Sequence, residues 1–178
     1  MSVHAAQGPL TTTWHLPLPG VDGERRSLSA LGGSLATVVV FVAGGCPTVR
    51  SYEERLMRLH DAVRPHGVAL VAVNSNNPYL SPPDTLAEMR KRARARNFNF
   101  AYLKDAEGTL ARSFGAICTP HAFIVDSELH TLYRGRIDDS RVGDTVSRHE
   151  LRDAIEAVIA GEPVSVPETE PFGCSIIW

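Results

Sequence analysis

Two continuous apolar runs stand out along the chain, Ala36–Val42 and Gly67–Asn74. Neither alternates with polar positions, so each predicts a strand buried on both faces. Between them Val49, Tyr52, Leu56, Leu59 and Val63 recur at intervals of three and four, which predicts an amphipathic helix. Strand, helix, strand over this length is a βαβ unit with parallel strands. Ser81-Pro82-Pro83-Asp84 predicts the next helix start, with Ser81 as N-cap and Asp84 in the first turn. That helix carries Arg90, Lys91, Arg92, Arg94 and Arg96, a solvated face or a patch for an anionic partner.

Phe98–Leu103 then predicts a short strand, and Asp105 caps a short helix that Gly115 ends. Ala122–Val125 and Thr131–Ile137, joined by a turn, predict an antiparallel hairpin. Ser147-Arg148-His149-Glu150 has the form of a capping box for a last helix bearing Leu151, Ala154, Ile155, Val158 and Ile159. Upstream, Thr11–Leu18 predicts a short strand pair at the domain edge, and Ser27–Leu31 a helical or turn segment. The order β-α-β-α-β-α-β-β-α predicts an α/β fold, a central mixed sheet flanked by helices. A single domain over 1–178 is expected, with its core at about 36–161 and a tail at 162–178.

Cys46 stands where the first apolar strand stops and the helix begins, after Gly44-Gly45 and before Pro47. Proline suits the first helical position, where its missing N–H has no partner to lose. The free N–H groups of that first turn favour a thiolate, so the position predicts a reactive cysteine. The plain alternative is a small buried residue capping a core strand.

Composition narrows the function. A formal charge of -2 over 178 residues gives no global attraction to nucleic acid or anionic membranes, and neither is expected as a partner. No apolar run is long enough to span a bilayer. The first residues lack a basic stretch followed by an apolar one, so a cytoplasmic location is expected. Three cysteines, Cys46, Cys118 and Cys174, do not form a secreted disulfide framework. His4, His15, His60, His66, His130 and His149 show no ligand spacing, so no metal or other cofactor is expected.

Several segments together, FVAGGCPTVR at 41–50, VNSN at 73–76, YLKD at 102–105, GAICTP at 115–120, YRGRIDD at 133–139 and GCSIIW at 173–178, resemble the thioredoxin-like, peroxiredoxin-like redoxins, an AhpC/TSA-related group of thiol–disulfide oxidoreductases. The resemblance implies a thioredoxin fold. Four positions depart from related patterns. Val49 stands where thioredoxins have their second cysteine, and Arg50 where Sco-type copper proteins have theirs. Ala43 stands where peroxiredoxins place a Thr or Ser, and Pro120 falls near where their arginine would be.

The resemblance also implies a site. Pro120 matches the cis-proline that faces the nucleophilic cysteine, and the backbone of Thr119 would pair with an extended substrate. Gly45, Pro47, Asn74 and Arg136 complete the expected substrate edge; Asn76, Asp138 and Asp139 approach it, with an Arg136–Asp138 ion pair as the plain alternative. His121 stands one residue after Pro120, where look-alikes carry an acidic residue. They often have a histidine just before the cysteine, so His121 is a candidate to activate Cys46. The alternative is a ring on the strand's far face.

The adduct on Cys46 needs a resolving thiol. Cys118, two residues before Pro120, is the nearer candidate and Cys174 the second. The expected partners are a disulfide or oxidised-thiol substrate and a thiol reductant. Three functions remain open: a thiol–disulfide oxidoreductase, a thiol peroxidase passing through sulfenic acid, and a non-catalytic redox-sensing or binding module.

Overall fold

A computed structural model describes residues 8–178, so His4 lies outside the described residues. Along the chain it has α1 (Gly8–Thr13), β1 (Leu18–Pro19), β2 (Arg25–Arg26), α2 (Leu28–Leu31), β3 (Ala36–Val42), α3 (Pro47–Val63) and β4 (Val68–Asn74). There follow α4 (Leu86–Arg96), β5 (Ala101–Lys104), α5 (Thr109–Phe114), β6 (Cys118–Thr119), β7 (His121–Asp126), β8 (Thr131–Gly135), α6 (Glu150–Ile159) and β9 (Cys174–Ser175).

The central sheet has the order β5-β4-β3-β7-β8. β3 and β4 run parallel in register from Ala36↔Val68 to Val42↔Asn74, and β7 lies antiparallel on the other side of β3. This is the mixed sheet of a thioredoxin fold. Because β3 is covered on both faces, all seven of its residues are buried. Val38, Val40 and Val42 pack with Tyr52 and Leu56 of α3 and Leu151 and Ile155 of α6. Val39 and Phe41 turn the other way, toward Leu110 and Phe114 of α5, Trp14 and Phe123. Alternation along each strand therefore decides which side chains meet the α3 face.

Four local expectations differ from the structure. Thr11–Leu18 is not a strand pair: α1 occupies its first part, docked on α5 through Thr13 Oγ1 and Ser113 Oγ at 2.8 Å, and only Leu18–Pro19 pairs, with Arg25–Arg26. Ser81 does not cap α4. Residues 82–84 form a 3-10 turn, and Thr85 caps the helix by accepting from the Glu88 N–H. The capping box at 147–150 does not form, because the Ser147 hydroxyl bonds Asp139 and Glu150 takes Arg136. The strand expected over Phe98–Leu103 begins only at Ala101, since Phe98 and Phe100 stack on each other with centroids 4.9 Å apart.

The tail returns to the body twice. Pro167 O accepts from Arg134 N, and Thr169 N donates to Arg134 O, along the edge of β8. Further on, β9 pairs antiparallel with β6, in the register Cys118↔Ser175 and Thr119↔Cys174.

Candidate active site

Cys46 occupies the N-cap of α3, with Pro47 in the first turn. The apolar run of β3 must stop there, and Gly44 is needed because a Cβ at that position would meet Pro83 O at 2.9 Å. Cys46 Sγ lies 3.3 Å from Thr119 O and 2.6 Å from Cys174 Sγ. Burial raises the Cys46 pKa, but hydrogen bonds from the Cys174 thiol, the Val49 N–H, the Thr119 side chain and the Cys174 N–H outweigh it, and the net shift is downward. The Val49 N–H belongs to the first turn of α3, the helix N-terminus contribution expected for this position.

Cys174 behaves oppositely. Burial, the hydrogen bond to Cys46 and the charge of Cys46 push its thiol up to about 11. The pair thus divides into a thiolate-forming sulfur and one that keeps its proton. Cys118 takes neither role in this arrangement. Its register partner is Ser175, its sulfur lies 3.9 Å from Pro120 O, and burial followed by the Cys46 charge raises it to about 11. Neighbouring strand residues face opposite ways, so the register that brings Thr119 and Cys174 to Cys46 turns Cys118 aside.

The Thr119–Pro120 bond is cis. The backbone edge of Thr119 is not open, because the molecule's own tail pairs with it. Gly173 allows this close approach: its φ is +153°, and a Cβ there would sit 1.9 Å from Thr119 O. Beyond Cys174 the tail is held by Ile177 N to Asn76 Oδ1 at 2.9 Å and Asn77 N to Ile177 O at 2.6 Å. The Arg112 guanidinium lies over the Trp178 ring, 4.3 Å from its centroid. With the tail in place Cys46 is only 2% exposed, while Gly45 and Pro47 beside it are exposed.

His121 faces away from the sulfur. It shares its strand face with Phe123, on which its ring packs at 4.4 Å, and its Nδ1 accepts from the Ile117 N–H. Burial, then the charge of Arg134, lowers its pKa to about 4, so it is neutral near pH 7. We expect His121→Ala to leave the pH profile of Cys46 alkylation unchanged; a raised midpoint in iodoacetamide titration would restore the activating role. Arg136 is not on the substrate edge as expected: its Nε donates to Glu150 at 2.9 Å. Nor does it pair with Asp138, which takes the Tyr52 hydroxyl at 2.6 Å and the Arg55 guanidinium at 2.5 Å.

Asn74 reaches the site from below rather than facing substrate, since it is fully buried. Its Nδ2 donates to Asp84 Oδ1 at 2.7 Å, and Gly44 N donates to the same oxygen at 2.6 Å. Asn76 Nδ2 and the Ser81 hydroxyl take the other oxygen. Burial raises the Asp84 pKa, yet these four donors outweigh it and the net shift is downward. Lys104 donates to Asn74 Oδ1 at 2.9 Å, with its pKa brought down to about 8 by burial. Asn76 also holds the tail, so one buried carboxylate is linked both to the loop before Cys46 and to the strand after it bearing Cys174. Sequence reasoning missed Asp84, because Ser-Pro-Pro-Asp has the form of a helix start. A lysine at the end of a buried strand was the one available signal.

Two solved structures are similar over most of the chain. One, an uncharacterized conserved protein from Geobacillus kaustophilus, is 35% identical with a TM-score of 0.86, covering 92% of this chain and 88% of that one. The other, a hypothetical protein from Sinorhizobium meliloti, is 34% identical with a TM-score of 0.84, covering 92% and 90%. The peroxidoxin BcpB from Mycobacterium tuberculosis shares the fold, at 20% identity and a TM-score of 0.63 over 82% of this chain and 92% of that one. No curated protein is a significant match. Residues 12–133, which carry β3, the Cys46 junction, the βαβ unit and most of the hairpin, match the AhpC/TSA family. The match spans more than half of the sequence and agrees with the sheet order and the cysteine-capped helix: this chain belongs to the AhpC/TSA family.

Proposed function

We propose that the chain is a thiol–disulfide oxidoreductase in which Cys46 is the nucleophile and Cys174 the resolving thiol. The observation that carries this is the 2.6 Å approach of the two sulfurs at the N-terminus of α3. In the first step the Cys46 thiolate attacks a substrate disulfide, forming a mixed disulfide and releasing one substrate thiolate. Cys174 then attacks Cys46 Sγ, giving up its proton. The second substrate thiol leaves and a Cys46–Cys174 disulfide remains. A thiol reductant returns both cysteines to the reduced state by exchange.

A peroxidase reading draws support from the family and would use the same pair, with Cys174 condensing on a Cys46 sulfenic acid. It is the weaker of the two, because Ala43 supplies no hydroxyl before the cysteine and Pro120 stands near where the arginine would be. A purely structural Cys46 fits poorly with a downward-shifted thiol beside a second cysteine. The test is peptide mass mapping after one equivalent of a mild oxidant. A Cys46–Cys174 crosslink is expected; a Cys46–Cys118 crosslink, or none, would overturn the assignment.

A further inference from the structure

Two features outside the sulfur pair bear on what the substrate is. The first is the tail. In the fold of this chain an extended polypeptide substrate would lie along Thr119, and Gly173–Ser175 already fills that line. The second is a cleft of about 220 Å³ against Gly44, two residues before the nucleophile. Its charged lining is Arg50, Lys91, Arg92, Arg96 and Glu88. Arg92 and Arg96 neutralise the buried Glu53, with Arg92 Nε 2.5 Å and Arg96 Nε 3.3 Å from its oxygens. Glu88 lies 3.8 Å from Lys91, an exposed and weak pairing. Arg50 has no carboxylate partner among the described residues. Its Nε is spent on Gly44 O at 2.9 Å, which leaves its terminal nitrogens unpaired beside the nucleophile loop.

We propose that this cleft binds the carboxylate of a small anionic disulfide, so that the substrate class is a low-molecular-weight, acid-bearing disulfide rather than a polypeptide. The inference rests on the oxidoreductase reading above. Arg50 suits this task because its planar fork binds carboxylate in two-point fashion, while its Nε bond to Gly44 O fixes its position relative to the Cys46 loop. Lys91 adds a second positive charge. The exchange is balanced as written for the proposed function: one substrate disulfide becomes two thiols, and the two electrons come from a dithiol that reduces the Cys46–Cys174 disulfide.

The test is steady-state reduction of three small disulfides by the full-length protein with dithiothreitol as electron donor, corrected for the uncatalysed rate. Oxidised glutathione is the anionic probe, bis(2-hydroxyethyl) disulfide the neutral one and cystamine the cationic one; insulin serves as the polypeptide. We expect kcat/KM for oxidised glutathione to exceed that for cystamine by roughly tenfold and to fall with added salt, as expected for a few partly exposed charge contacts. Arg50→Gln and Lys91→Gln should shrink that ratio mainly through KM, and Arg50→Lys should restore part of it. A charge-independent ranking, a ratio unmoved in the variants, or faster reduction of insulin would overturn the inference while leaving the oxidoreductase reading in place. Failure to reduce any of the four would overturn both.

Discussion

Cys174→Ser should stop turnover at the mixed disulfide. With its tethered partner gone, Cys46 retains the first step and loses the second, so mass spectrometry should find Cys46 joined to one substrate half. Resolution then depends on an external thiol. A positioned neighbouring thiol carries a large effective concentration, so multiple-turnover rates should fall on the order of a hundredfold or more. A single-turnover burst of about one equivalent should persist. Cys118→Ser is the control of opposite sign: its sulfur lies against Pro120 O rather than hydrogen-bonding Cys46 Sγ, and turnover should stay within about twofold of wild type. If Cys118→Ser were the variant that stalled, the roles assigned to the two cysteines would be reversed.

Asp84→Ala should cost about 3–5 kcal/mol in urea unfolding, one of the largest losses available to a single substitution in this chain. Four donors lose their acceptor at once, and the buried Lys104 ammonium loses one of its two counter-charges. Asp84→Asn keeps the shape and should lose less. The pH dependence follows from the downward shift of Asp84. Its folded pKa lies below the unfolded value of about 4, so its stabilisation is complete at neutral pH and is lost as pH falls through the folded value. Asp84→Asn should therefore flatten the acid limb of the stability curve. Because the carboxylate is linked to Gly44 N directly and to the tail through Asn76, Asp84→Asn should also slow Cys46–Cys174 disulfide formation in stopped-flow thiol assays. Wild-type stability and an unchanged acid limb would refute the assigned role.

Much of the frame was legible because it rests on short-range signals. The run of Ala36–Val42 has one burial pattern available to it, and the three-four spacing after Val49 has one helical face. The Gly-Gly-Cys-Pro junction places Cys46 at a helix N-terminus with no knowledge of the rest of the chain. Errors arose where a local signal competed with a distant partner. Thr11–Leu18 has β-branched residues, yet docking on α5 made its first part a helix. Ser147 found Asp139, and Glu150 found Arg136, before either could cap a helix.

Within the site the division falls along the same line. The amino-acid sequence by itself determined the α/β class, the strand–cysteine–helix junction and the thiolate-favouring position of Cys46, since each depends on residues within a few turns of one another. Tertiary structure alone decided that Cys174 rather than Cys118 meets Cys46, that His121 turns to the far face, and that Asp84 underlies the nucleophile loop. The sulfurs that meet are 128 residues apart in the chain. Nearness in sequence favoured Cys118, but contact across strands is set by register and by the alternation of faces, and one residue of offset reverses which sulfur points at the nucleophile.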